Sequence, residues 1–205
     1  MEVRLEHTGR KFNQDWVFRD LSHTFAPGST CAVLGRNGSG KSTLLQMIAG
    51  SLSPSAGQIS YFTGGKRVEG DIFRHISLAA PCQELIEEFT LERMLSFHFS
   101  FKKPLPGLDT KRIAGLIELG NTRHKPLRMY SSGMKQRVKV ACALFSDTPL
   151  LLLDEPATNL DRAGTDWYLR MIGEYTAGRT VIVSTNHSAD EAGFCMDRIC
   201  LEDFR

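Results

Sequence analysis

Short apolar runs separated by turn residues open the chain: Val3 and Leu5, Trp16 to Phe18, Leu21 and Phe25, then Pro27-Gly28. Runs of this length between turn formers predict strands, here an antiparallel sheet. Cys31 to Leu34 makes a short apolar strand that runs into the glycine-rich segment Gly35 to Gly40. After it Leu44, Leu45 and Ile48 recur at helical spacing until Gly50. Further strands are expected around Ile59 to Phe62 and Ile76 to Ala80, divided by the Gly64-Gly65 turn.

From about Pro81 to Thr148 the periodicity becomes helical. Thr90 is placed to cap a helix carrying Leu91, Met94 and Leu95, and Asp109 or Thr110 opens another through Ile113, Leu116 and Ile117 to Gly120. Val138, Ala141, Leu144 and Phe145 share one face of a third. The wholly apolar strands Leu150 to Leu153 and Val181 to Ser184 then flank a helix with Trp167, Leu169, Met171 and Ile172. Apolar strands alternating with helices imply a mostly parallel sheet covered on both faces. We therefore expect one domain, with a lobe built from residues 1–80 and 149–205 and a helical insertion at residues 81–148.

Composition narrows the picture. The 205 residues are 41% hydrophobic, enough for one core, and the net charge of +2 supplies no basic field to attract nucleic acid directly. No window approaches the ~20 apolar residues of a membrane-spanning helix, and Met1 to Phe12 lacks the apolar stretch of a secretory signal. The expectation is a soluble, cytoplasmic chain. Its five cysteines, Cys31, Cys82, Cys142, Cys195 and Cys200, have no zinc-ligand spacing and read as buried thiols in a reducing compartment.

The chemistry is concentrated in two places. Gly35-Arg-Asn37-Gly38-Ser39-Gly40-Lys41-Ser42-Thr43 matches the phosphate-binding loop pattern between a strand and a helix. In such a loop backbone N–H groups and the helix N-terminus face phosphate oxygens, Lys41 neutralises the β and γ phosphates, and Ser42 binds Mg²⁺. Leu150 to Leu153 ends in Asp154-Glu155, two acids at the sheet edge where open parallel sheets bind ligands. Asp154 is suited to the hydration shell of Mg²⁺, and Glu155 to polarising an attacking water.

With these motifs in place, Tyr130-Ser131-Ser132-Gly133-Met134-Lys135-Gln136-Arg137 resembles the LSGGQ signature of the ABC ATPase family, departing from it at Tyr130, Ser132 and Met134. Ala157-Thr-Asn159-Leu160-Asp161 resembles the family's D-loop and His187 its switch histidine. Phe12 stands where the family places an aromatic that stacks on adenine, with Trp16 the rival for that task. The family carries a glutamine directly after the strand that closes the first lobe. Here Pro81 occupies that position and Gln83 follows two residues later, so either a shifted loop brings Gln83 in or the contact is missing.

The resemblance covers essentially the whole chain and implies an α/β fold of the phosphate-loop NTPase class, ABC type, with an N-terminal antiparallel subdomain and an inserted helical one. It implies ATP and Mg²⁺ as ligands, and pairing of two such domains, as homodimer or heterodimer, so that Ser131 and Gly133 of one reach the nucleotide of the other. It also implies a separate integral membrane transporter subunit. Glu84 to Leu91 would receive a short helix of that subunit, holding the chain at the inner face of the membrane. A soluble ATPase working on nucleic acid or ribosomes would usually add tandem halves, a coiled-coil insertion or a basic linker. A small-molecule kinase would need an acceptor pocket and lid.

Overall fold

The computed structural model describes residues 1–122, 124–186 and 189–205. Two compact units are formed, one from residues 1–78, 148–155 and 176–205, the other from residues 79–147 and 156–175. The segment 156–175, placed with the first lobe in the sequence reading, clusters with the helical unit.

The first unit holds two sheets. β1 (Glu2–Phe12) and β2 (Asp15–Phe25) form an antiparallel hairpin, joined by β4 (Ala56–Thr63) and β5 (Lys66–Arg67) in the order β2-β1-β4-β5. The short runs seen in the sequence are thus two strands of eleven residues each. Register shifts after Leu5, Thr8 and Arg10 break the alternation that would have announced them. The second sheet contains β3 (Thr30–Leu34), β6 (Ile76–Ala79), β7 (Leu150–Asp154), β8 (Thr180–Thr185) and β9 (Asp197–Cys200), in the order β6-β7-β8-β3-β9. The β7–β8, β8–β3 and β3–β9 pairs are parallel. Every residue of β7 and β8 is buried, as strands covered on both faces require.

α1 (Lys41–Ile48) follows β3 and packs against β7 and β8. Leu44, Leu45 and Ile48 share one core with Val33, Leu150, Leu152 and Ile182 and with Phe18, Leu21 and Phe25 of the hairpin. Arg179 is buried where β8 begins. Its Nε donates to Thr148 O at 2.8 Å and its Nη2 to Ser77 Oγ and Thr148 Oγ1 at 3.1 and 3.0 Å, stapling the entries to β6, β7 and β8.

The second unit is helical: α2 (Leu91–Phe101), α3 (Thr110–Leu116), α4 (Ser132–Leu144) and α5 (Arg162–Tyr175). Thr90 Oγ1 accepts from Arg93 N and Asp109 Oδ1 from Arg112 N, so both expected caps are present. α3 stops at Leu116, four residues before Gly120. The buried face of α5 is Gly164, Trp167, Tyr168, Met171 and Ile172, whereas Leu169, one of the apolar residues that mark this helix in the sequence, is exposed. The last helix, α6 (Ala189–Ala192), belongs to the first unit and packs on β8.

Of the thiols, Cys31, Cys142 and Cys195 are buried, and burial pushes each up to about 12. Cys200 is half-buried. Cys82 is exposed, against the expectation of a buried thiol. No helix among the described residues is long and apolar enough to cross a membrane.

Candidate functional site

Three neighbouring strands, β7, β8 and β3, release their C-terminal ends at one edge of the parallel sheet, and each carries a part of the expected site. From β3 comes the glycine loop. Gly40 sits at φ 102° as N-cap of α1, and a Cβ there would lie 2.3 Å from Val17 Cγ1, so a side chain is excluded both by conformation and by space. No side chain caps α1 and no acid stands in its first turn, which leaves the leading N–H groups to the loop side. Ser39 is fully buried with its Oγ lacking a partner, Ser42 is exposed and Thr43 half-buried.

Lys41 is 4% exposed, and its ammonium lies over this loop. Its Nζ donates to Gly35 O at 2.8 Å, Arg36 O at 3.2 Å and Asn186 Oδ1 at 2.5 Å, with Glu155 Oε1 at 3.6 Å. Asn186 leaves the end of β8 and also donates through Nδ2 to Asn37 Oδ1 at 2.6 Å. Nothing in the sequence singled it out, since a lone Asn after a strand is an ordinary turn residue. His187, the expected switch histidine, lies outside the described residues.

From β7 come the acids. Asp154 is 3% exposed and accepts a hydrogen bond from Ser184 Oγ on β8, which fixes its carboxylate. Glu155 turns out of the strand at φ 46°, a left-handed conformation uncommon outside glycine, with its N–H bonded to Ser184 O at 3.0 Å. That turn brings its carboxylate to Lys41. A buried ammonium, a fixed buried carboxylate and a second carboxylate beside the ammonium can together neutralise phosphate, hold a divalent cation and accept a proton from water.

A further sequence-silent contact tightens the loop from the chain's last turn. Glu202 Oε1 accepts from the Arg36 N–H at 3.3 Å and pairs with its guanidinium at 3.1 Å. At the tip of the β1–β2 hairpin, Lys11 pairs with Trp16 and Phe12 with Asp15, so the two rings leave opposite faces. Trp16, 40% exposed, covers Gly9, where a Cβ would meet its ring at 2.9 Å. Phe12, 48% exposed, carries the Arg10 guanidinium 4.6 Å from its ring centroid.

The helical unit carries the signature-like segment. Ser131 caps α4, its Oγ accepting from Met134 N at 3.3 Å. Gly133 has no room for a side chain, since a Cβ would stand 2.7 Å from Asn159 O. Asp161 Oδ1 accepts from Gly164 N at 2.8 Å, capping α5, and lies 3.7 Å from Arg137 Nη2. Ser131, Gly133, Met134, Arg137 and Asp161 line a cleft of about 420 Å³. A wider groove of about 850 Å³ runs between the 81–88 segment and α4. It is crossed by Lys135 Nζ to Glu87 Oε1 at 2.5 Å and Lys139 Nζ to Pro81 O at 2.9 Å. Gln83 lines it, with its Oε1 turned back to accept from Ala80 N at 3.1 Å.

Sheet order, glycine loop and paired acids define a phosphate-loop nucleotide-binding domain. The sequence pattern of the ABC transporter family matches residues 18–158, and the chain belongs to that family. It is 33% identical over 207 residues to the Nod factor export ATP-binding protein I of Rhizobium leguminosarum bv. viciae, covering 97% of this chain but 65% of that protein's length. It is 30% identical to the cytochrome c biogenesis ATP-binding export protein of Brucella abortus strain 2308, covering 91% of this chain and 86% of that one. Its fold matches a dimeric bacterial ABC transporter cassette with a TM-score of 0.80 at 21% identity, over 97% of this chain and 93% of the other.

Proposed function

We propose that the chain is the ATP-binding and ATP-hydrolysing motor of an ABC transporter, acting as a dimer around two ATP molecules and driving a separate membrane subunit. The observation that carries this reading is the buried Lys41 ammonium above the glycine loop with Glu155 at 3.6 Å and Asp154 fixed on the adjoining strand. Gly35, Asn37, Gly38, Ser39, Gly40 and Thr43 cradle the phosphates, Lys41 neutralises them, and Phe12, an exposed ring beside the Arg10 guanidinium, stacks on adenine. Among the described residues no three His, Cys, Asp or Glu side chains converge as a metal cage. Mg²⁺ bound with a nucleotide takes few protein ligands beside phosphate and water. Ser42 and Asp154 would hold it, and bound there it supplies charge for the phosphoryl oxygens.

Glu155 accepts the proton of the attacking water as the water's oxygen bonds to the γ-phosphorus and the bridging oxygen leaves with the ADP. Its carboxylate stays aimed because the Ser184 carbonyl fixes the backbone behind it. His187 is assigned to the γ-phosphate, and Gln83 to the same centre once its amide gives up the bond to Ala80. Ser131, Gly133 and Asp161 serve the nucleotide of the paired domain, and the 81–88 groove takes a short helix of the membrane subunit. Both assemblies follow the family: the relatives are named as export ATP-binding proteins and the cassette of like fold is dimeric.

The test is nucleotide titration and phosphate release by the purified chain, beside pull-down from solubilised membranes. Lys41→Ala is expected to abolish ATP affinity and turnover while leaving a folded chain with a cooperative melting curve, because the core of α1 does not include the ammonium. Near-normal ATP affinity in the folded variant would remove the phosphate-loop assignment. Failure of an integral membrane protein to copurify would remove the transporter assignment.

A further inference from the structure

An ammonium has three N–H donors, and those of Lys41 are all engaged: two on backbone carbonyls of its own loop, the third on Asn186 Oδ1. At 4% exposure Lys41 has little access to water as a spare partner. A phosphate oxygen that reaches Lys41 therefore displaces an acceptor already bound. The carbonyls of Gly35 and Arg36 belong to a loop whose shape is held from behind, by Glu202 on the Arg36 N–H and by Val17 against Gly40. Asn186 Oδ1, in contrast, is the end of an exposed side chain that swings away on rotation about two bonds. The same amide spans the loop, since its Nδ2 donates to Asn37 Oδ1 at 2.6 Å.

We propose that Asn186 is a positioning residue that competes with nucleotide phosphate for Lys41 and so sets the affinity of the loop for ATP. This rests on the phosphate-loop reading given above. When phosphate takes the third donor, the Asn186 amide turns away, so Asn186 weakens binding of the nucleotide without entering the chemical step.

The consequence is a pair of substitutions with opposite signs. Asn186→Ala deletes the internal competitor, and affinity for the non-hydrolysable analogue adenylyl imidodiphosphate is expected to rise about threefold to tenfold, the size of one exchanged charge-assisted hydrogen bond. KM for ATP falls with it and kcat stays within about twofold. Asn186→Ser, too short to bridge Lys41 and Asn37, repeats the alanine result and stands in if the alanine variant does not fold. Asn186→Asp puts a carboxylate on Lys41 and is expected to lower affinity about thirtyfold or more, the loss shrinking as salt is raised. Calorimetric titration of the wild-type chain and the three variants, with melting curves alongside, reads all of this. Weaker binding in both Asn186→Ala and Asn186→Asp, which a merely structural residue would give, overturns the proposal, as does unchanged binding in all three. A wild-type chain that does not bind the analogue overturns instead the phosphate-loop reading on which the proposal stands.

Discussion

Replacing Glu155 by Gln separates binding from chemistry at this site. The glutamine keeps the size of the side chain and can hydrogen-bond to water, but it cannot take up a proton. For a lost general base the expected fall in turnover is about 10² to 10⁴, or roughly 2.7 to 5.5 kcal/mol of barrier. The structure adds a statement about affinity. Glu155 Oε1 lies 3.6 Å from Lys41 Nζ. At an effective dielectric constant of about 20 that pair attracts by roughly 4 to 5 kcal/mol before the cost of desolvation. Phosphate brings further negative charge to the same ammonium, so removing the Glu155 charge relieves repulsion and ATP binding should be equal or tighter. With binding intact and consumption blocked, an ATP-dependent dimer should accumulate, visible by size-exclusion chromatography with light scattering, with and without Mg-free ATP. Adding Ser131→Arg should abolish the dimer through bulk and misplaced charge while the monomer still binds ATP. Wild-type hydrolysis by Glu155→Gln would refute the catalytic assignment. A monomer at every ATP concentration would refute self-pairing.

Two further expectations follow from local contacts. Gln83→Ala should lower turnover about tenfold or more, roughly 1.4 kcal/mol of barrier, with ATP affinity little changed; unchanged turnover would make Gln83 a turn residue serving Ala80 alone. His98 is half-buried against Ser146, and desolvation holds its pKa below the ordinary histidine value, opposed by a hydrogen bond with the Cys142 backbone and helped by the Lys102 charge. The unfolded chain therefore takes up a proton first as pH falls, so stability is full above pH about 6.5 and declines as pH drops from there toward the folded pKa. His23, lowered by burial against the pull of Asp197, adds to the same slope. Melting temperatures between pH 8 and pH 5 should fall more steeply for the wild type than for His98→Phe, and equal slopes would refute the account.

Strand-loop-helix order, the caps at Thr90 and Asp109 and the acids after β7 were legible because each rests on a local rule. What was not legible depends on distant contacts. β9 has one buried residue in four, Ile199, preceded by the exposed Asp197 and Arg198, and its pairing with β3 decides it, not its pattern. The length of β1 and β2 was hidden by bulges, and the apolar positions of α5 did not give its buried face, which takes in Tyr168 and Gly164 and leaves Leu169 out. In the site, the roles of Asn186 and Glu202 come from residues 149 and 166 positions away in sequence, Asn37 and Arg36, so no motif announces them.

The departures of the signature-like segment at Tyr130, Ser132 and Met134 can be weighed against what the segment retains. Ser131 caps α4, and Gly133 lets the backbone of α4 approach Asn159 O. Gln136 Nε2 donates to Pro156 O at 3.0 Å from a buried position, and Arg137 reaches Asp161. The retained residues therefore tie α4 to the segment that follows Glu155, and would be needed for the packing of this unit whatever the cleft binds. Tyr130 is buried with its hydroxyl on Thr122 O, so it too serves the unit's interior. Ser132 is exposed and Met134 half-buried, and both line the cleft with Ser131. The two positions free to vary without unmaking α4 are thus those facing what enters the cleft. Under the proposed pairing, substitutions at Ser132 and Met134 should change dimer formation while leaving the melting temperature of the chain in place.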